Sequence, residues 1–124
     1  MKNIFLLVAL LSVCSCTSQV PKDKCTLDGK TFTIENFMDG KLDGTEVLAF
    51  HNRQANNDEY TKYGFGSGGY TCDERNAFKY TLTSEKEGRM DWEGQVTGKT
   101  ITGKMVWIKP GQKDIYYTFK GTES

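Results

Sequence analysis

Residues 78–122, FKYTLTSEKEGRMDWEGQVTGKTITGKMVWIKPGQKDIYYTFKGT, are written in twos. Phe78, Tyr80 and Leu82 alternate with Lys79, Thr81 and Thr83, and Met90, Trp92 and Val96 alternate with Asp91, Glu93, Gln95 and Thr97. Successive side chains of a strand point to opposite faces, so this alternation describes antiparallel strands with one buried and one polar face. Ile101, Met105 and Trp107 continue the pattern across Gly103, and Ile115, Tyr117 and Phe119 close it. Glu87-Gly88, Gly98-Lys99 and Pro110-Gly111 separate the runs with the residues that tight turns require.

Working outward, strands are expected at Lys30 to Glu35, with Phe32 and Ile34 inward, and at Glu46 to His51, with Leu48 and Phe50 inward. Asp28-Gly29, Asp39-Gly40 and Asp43-Gly44 read as turns. No segment carries a sustained apolar stripe at helical spacing. Strand segments recurring about every 10 to 12 residues predict an all-β fold, a small antiparallel up-and-down β-barrel of roughly seven to eight strands. Closure removes exposed edges, and interior Gly94 and Gly103 suit sharply coiled strands. A curved β-sandwich is the alternative.

The chain opens MKNIFLLVALLSVCSC, with Lys2 before an apolar run from Ile4 to Leu11 that is too short to span a bilayer. This resembles a bacterial lipoprotein signal over residues 1–15, with acylation (palmitate) at Cys16. Val13 and Ser15 hold the apolar and small positions before Cys16, whereas bulky Val13 directly precedes Cys14. An ordinary secretory signal cut near Ser18 is the other reading. The resemblance implies a cell-envelope protein held to the membrane by its N-terminal lipid, the outer membrane being the commoner destination. Residues 16–24, polar and containing Pro21, read as a lipidated flexible tether to a single domain over 25–124.

Sixteen basic and sixteen acidic residues balance, which gives no electrostatic case for nucleic acid. Removing residues 1–15 leaves Cys25 and Cys72 as an even pair beyond the acylated Cys16, and in an oxidising compartment a disulfide between them is expected.

The least regular stretch is Asn52 to Arg75. Gly64, Gly66 and Gly69 satisfy G-x-G-x-x-G, but no helix-forming run follows and no βαβ unit surrounds it, so dinucleotide binding is set aside. Ser67 fails the G-x-S-x-G spacing because Phe65 occupies the first glycine position. His51 is the single histidine, which gives no metal pair. Asp91 and Glu93 share the polar face, and Asp39, Asp43 and Glu46 are explained by turn chemistry rather than calcium. No enzyme, metal or cofactor is expected. The glycines read as a tight crossing that lets Phe65 and Tyr70 dock on a barrel mouth.

Tyr63-Gly64-Phe65, Tyr70, Trp92-Gly94-Val96-Gly98, Ile101-Gly103-Met105-Trp107 and Tyr117-Phe119-Gly121 together resemble a group of small exported bacterial lipoproteins of lipocalin-like, calycin-type architecture. The resemblance covers roughly three fifths of the mature chain. It implies the barrel and no chemistry. Members often carry a Cys three residues before the YGF turn, where this chain has Tyr60, so no disulfide pattern is taken from the group. Ser67-Gly68-Gly69-Tyr70 is also similar to the Tyr-ended loop of small lysozyme-inhibiting barrel lipoproteins, without that family's Trp and Lys-Gly elements at their spacing.

Trp92 and Trp107, with Phe78, Tyr80, Tyr117 and Phe119, are expected to point into one barrel. Two functions follow. In the first, a binding module takes a small hydrophobic or amphipathic ligand against Tyr63, Phe65, Tyr70, Tyr80, Trp92, Trp107 and Tyr117. In the second, these rings fill the barrel, and the 52–75 loops contact an envelope protein as an interaction or inhibitor module.

Overall fold

The computed structural model describes residues 25–124. The signal over residues 1–15, acylation at Cys16 and the tether over residues 16–24 lie outside the described residues. Eight strands and one helical turn follow in order: β1 (Thr31–Met38), β2 (Lys41–His51), β3 (Gln54–Asn57), α1 (Asp58–Thr61), β4 (Gly68–Cys72), β5 (Ala77–Ser84), β6 (Gly88–Thr97), β7 (Thr100–Ile108) and β8 (Ile115–Glu123). Each strand pairs antiparallel with the next, and β8 returns to β1 from Phe32↔Glu123 to Phe37↔Thr118. The fold is therefore a closed eight-stranded antiparallel up-and-down barrel. The paired β1 and β8 leave no edge of the kind a sandwich would present.

Alternation drives this arrangement. Phe78, Tyr80 and Leu82 on β5 and Met90, Trp92 and Val96 on β6 are buried, with their polar neighbours outside. Pairing carries one inward row around the wall: Tyr80 opposite Trp92, Trp92 opposite Met105, and Met105 opposite Tyr117. Gly94 and Gly103 stand opposite each other, and the rings of Phe78 and Phe119 occupy the space their side chains would take. A Cβ on Gly103 would stand 2.5 Å from Phe119 Cζ.

Two expectations are corrected. Asp43-Gly44 is not a turn but lies within β2, where Asn36 pairs with Gly44 and Phe37 with Leu42. Asp43 is the extra residue of a bulge, so β2 is longer than expected. The second correction is Asn52 to Arg75, which holds β3, α1 and β4 rather than one loop. Asn52 and Arg53, both at positive φ, make the β2–β3 turn from polar residues. Gly68 is required on β4 because a Cβ there would collide with the Thr81 carbonyl oxygen. Strands of four and five residues are too short for alternation to declare itself.

The connections fall at two ends. The chain from Cys25 and the β2–β3, β4–β5 and β6–β7 turns form the disulfide end, where Cys25 is bonded to Cys72 at a Cα separation of 5.6 Å. Leu27 is fully buried there, and Phe50 lies edge-on to Phe32, Tyr70, Phe78 and Tyr80 at centroid distances of 5.0–6.3 Å. Asp28 accepts hydrogen bonds from the Tyr70 hydroxyl and from Arg53 N, and these hold its carboxyl below the usual range. Rings and crosslink together plug this end. The opposite end carries the β1–β2, β5–β6 and β7–β8 connections and α1.

Candidate functional site

Polar residues at inward positions mark the α1 end. Asn36 on β1 shares the parity of Phe32 and Ile34, and Glu46 on β2 shares that of Leu48 and Phe50; both are buried. Asn57 ends β3 and caps α1, its side-chain oxygen accepting from Glu59 N at 3.0 Å. The cap aims Tyr60 into the barrel. Its hydroxyl donates to Glu46 Oε1 at 3.2 Å, and its ring lies 6.2 Å from both Phe65 and Trp92. Trp92, 2 % exposed, stacks on Tyr80 at 5.5 Å and leans on Phe119 at 5.1 Å. The result is a closely packed chamber of aromatic rings, in contact with one another, around a buried carboxyl group.

Four polar atoms around this chamber are buried without a hydrogen-bond partner: Asn36 Oδ1, Asn57 Nδ2, Tyr80 OH and Trp92 Nε1. The Asn57 amide still favours the charged form of Glu46, so it faces that carboxylate without full bonding geometry. Leaving a buried donor or acceptor unmade costs about 1–3 kcal/mol, so such atoms are normally completed by water or a ligand.

Burial raises the Glu46 carboxyl from 4.5 to about 7; the Tyr60 and Asn57 hydrogen bonds pull it down, while Glu59 and Asp58 push it up. The Tyr60 and Tyr80 hydroxyls are driven up, by burial first and then by Glu46. Burial, Asp43 and Glu46 act likewise on Tyr117.

A pH dependence of stability follows. The folded carboxyl holds its proton to about 7, whereas the unfolded one releases it near 4.5. Between these values the native state binds more protons, so this contribution is fully present below 4.5 and is lost as pH rises through about 7. Glu46 is 5 % exposed, and the expected loss is on the order of 2–3 kcal/mol. Urea midpoints of wild type and Glu46→Gln, compared at pH 5 and pH 8, check it: the fall with pH should vanish in the variant.

Of the seven residues expected to line a ligand site, six are buried or half-buried and Tyr63 is exposed. Tyr80 and Trp92 belong to the chamber. Tyr117 and Trp107 are half-buried at the same end, and Trp107 Nε1 donates to the Glu87 carbonyl at 2.6 Å. Phe65 is buried against Tyr60 at the α1 end of the barrel. Tyr63 is exposed beside Lys62. Tyr70 is buried opposite Tyr80, its partner on β5, and its hydroxyl donates to Asp28 at the disulfide end. Reasoning from sequence missed Glu46, Asn36, Asn57 and Tyr60. Parity on β1 and β2 was a sufficient signal for the first two: a polar residue in register with an apolar row is a buried polar residue.

Exposed large hydrophobics also gather at this end. Met38 and Leu42 flank the β1–β2 turn, Tyr63 follows α1, and Tyr116, 68 % exposed, opens β8. A concavity of about 1000 Å³ lies on the outside of the wall, lined mainly by outward residues such as Lys79, Asp91, Lys104 and Tyr116. It is the concave waist of a twisted barrel, with Glu93 and Lys104 paired at 3.2 Å on its surface. Ser67, the only serine in the glycine-rich run, donates to Gln54 Oε1 at 2.7 Å. Among the described residues no group of three His, Cys, Asp or Glu could hold a metal ion. Site and fold together define a small closed barrel with a buried polar chamber at one end. No family model, curated protein or solved structure matches the chain.

Proposed function

We propose that this protein is an envelope-tethered, non-catalytic binding module that holds a small amphipathic ligand at the α1 end of its barrel. The observation that supports it is the set of four unpartnered buried polar atoms inside an aromatic wall. A domain with net stability of about 5–15 kcal/mol keeps such atoms where water or an occupant completes their hydrogen bonds. Rings give the ligand an apolar surface, and Tyr80 OH, Trp92 Nε1 and the two asparagines give its head group polar contacts. A four-residue helix over the chamber is the element that can yield to admit it.

Acylation at Cys16 would tie the disulfide end to the membrane, since the described chain begins there at Cys25. The α1 end would then point away, toward the envelope space. In this reading the protein is an outer-membrane lipoprotein, akin in architecture to the calycin-type group. Exposed Met38, Leu42, Tyr63 and Tyr116 around the same end favour a second reading, in which an envelope protein docks on that rim. The Trp92 indole N–H separates the two. Small amphiphiles should shift its NMR resonance saturably, and a resonance that none of them moves overturns the ligand reading.

A further inference from the structure

We propose that α1 together with residues 62–65 is a latch across a lateral gap in the barrel wall, released when Glu46 ionises; the inference goes beyond the ligand reading and does not depend on it. Topology supplies the gap. β2 pairs with β3 only from Leu48↔Asn57 to His51↔Gln54, and β4 pairs with β5 only from Tyr70↔Tyr80 to Cys72↔Phe78. Toward the α1 end, residues 41–47 of β2 and Thr83 and Ser84 of β5 therefore have no strand between them.

The latch spans that gap without joining the ladder. Its backbone bonds close on itself, with Tyr63, Gly64 and Phe65 N–H groups donating to the Tyr60 and Thr61 carbonyls. Side chains fasten it to the wall: Asp58 Oδ1 accepts from Val47 N at 2.9 Å, the Tyr60 hydroxyl donates to Glu46 Oε1 at 3.2 Å, and Ser84 Oγ donates to the Tyr63 carbonyl at 2.8 Å. A segment held this way opens before the sheet does.

Glu46 lies beneath it. The carboxyl is buried, its partner is the neutral Tyr60 hydroxyl, and among the described residues no Lys or Arg pairs with it. Asp58 and Glu59 on the latch have the same sign, and Asp58 is held against Val47, the residue next to Glu46. An ionised Glu46 thus has neither water nor a counter-charge while the latch is shut, and lifting α1 gives it water. Glu46 also acts on Tyr80 of β5 and Tyr117 of β8, and Asp43 of its own strand acts on Tyr60 and Tyr117; burial keeps all three hydroxyls neutral. The closed state binds the extra proton, so closure is strongest below 4.5 and weakens as pH rises to about 7.

The test is amide hydrogen exchange by NMR on the mature, membrane-extracted protein, each rate divided by the intrinsic rate at its pH. Val47 N–H is the reporter, since it is bonded to Asp58 and is freed when α1 lifts. Its opening should be independent of urea below the unfolding transition, should rise about tenfold from pH 6 to pH 8, and should level off above about 7. Amides of β6 and β7 should open only with the steep urea dependence of global unfolding. In Glu46→Gln the Val47 opening should hold one value across this range. Should that variant not fold, Tyr60→Phe keeps the ring, removes the hydrogen bond to Glu46 and should raise Val47 opening about fivefold at pH 6. No ligand enters the measurement, so the reading tested at the Trp92 indole stands or falls separately. A Val47 amide that opens only together with β6 and β7, or equally at pH 6 and pH 8, overturns the latch. A pH dependence that survives Glu46→Gln, or an opening that Tyr60→Phe leaves unchanged, overturns it as well.

Discussion

Trp92→Ala is expected to destabilise the barrel by about 3–5 kcal/mol, measured as a fall in the urea midpoint at constant slope. The indole is among the largest fully buried side chains and touches rings from three other elements: Tyr60 on α1, Tyr80 on β5 and Phe119 on β8. Its removal forfeits the transfer free energy of a large ring and leaves a cavity that closed strands cannot collapse around. For a domain whose net stability is about 5–15 kcal/mol, the variant sits near the folding threshold. Trp107→Ala should cost less, about 1–3 kcal/mol, because that ring is half-buried and held by a hydrogen bond to Glu87. Sequence alternation alone expects equal costs for the two tryptophans. Equal losses would mean that both rings are equally enclosed, contrary to the structure.

Replacing Cys25 and Cys72 together by Ala should cost about 2–5 kcal/mol. The crosslink spans 47 residues of sequence, and the chain-entropy estimate for closing such a loop is about 4 kcal/mol. It also fastens the segment that carries Leu27 into the core and Asp28 to Tyr70. Loss of the bond therefore frees the plug of the disulfide end as well as enlarging the unfolded ensemble. Denaturation of the double variant beside reduced and oxidised wild type measures both effects. A difference below about 1 kcal/mol would show that the aromatic packing around Phe50 holds that end without the bond.

Most of the barrel was legible because β5 to β8 are long enough for alternation to repeat several times, with turn residues between them. The strand pairing of Trp92 with Met105 and of Met90 with Trp107 follows from those turns. β3 and β4 were not legible, since each offers at most two buried residues and they sit among asparagines and glycines. The bulge at Asp43 was misread for a related reason: Asp-Gly suits a turn, and only the pairing of β1 with β2 reveals that the strand continues through it. The disulfide was recoverable by counting cysteines.

The chamber was half legible. Tyr80 and Trp92 were placed correctly by their period-two neighbours. Glu46 was assigned to turn chemistry beside Asp43 and Asn36 drew no reading, although their parity with Leu48 and Phe50 and with Phe32 and Ile34 turns both inward. Tyr60 could not be placed from sequence, as its position depends on the Asn57 cap and a four-residue helix too short to leave a periodic signal.

The most direct test of the binding account is the two-dimensional ¹⁵N spectrum of the mature protein, titrated with n-butylammonium, 1-butanol and butanoate, with indole signals assigned through Trp107→Phe. Trp92 Nε1 is buried and without a partner, whereas Trp107 Nε1 already donates to a carbonyl. The account predicts a saturable shift of the Trp92 indole N–H with at least one probe and a small response at Trp107. A Trp92 resonance that stays fixed through all three titrations, while the rim residues Tyr63 and Tyr116 or the outer wall respond, would contradict it.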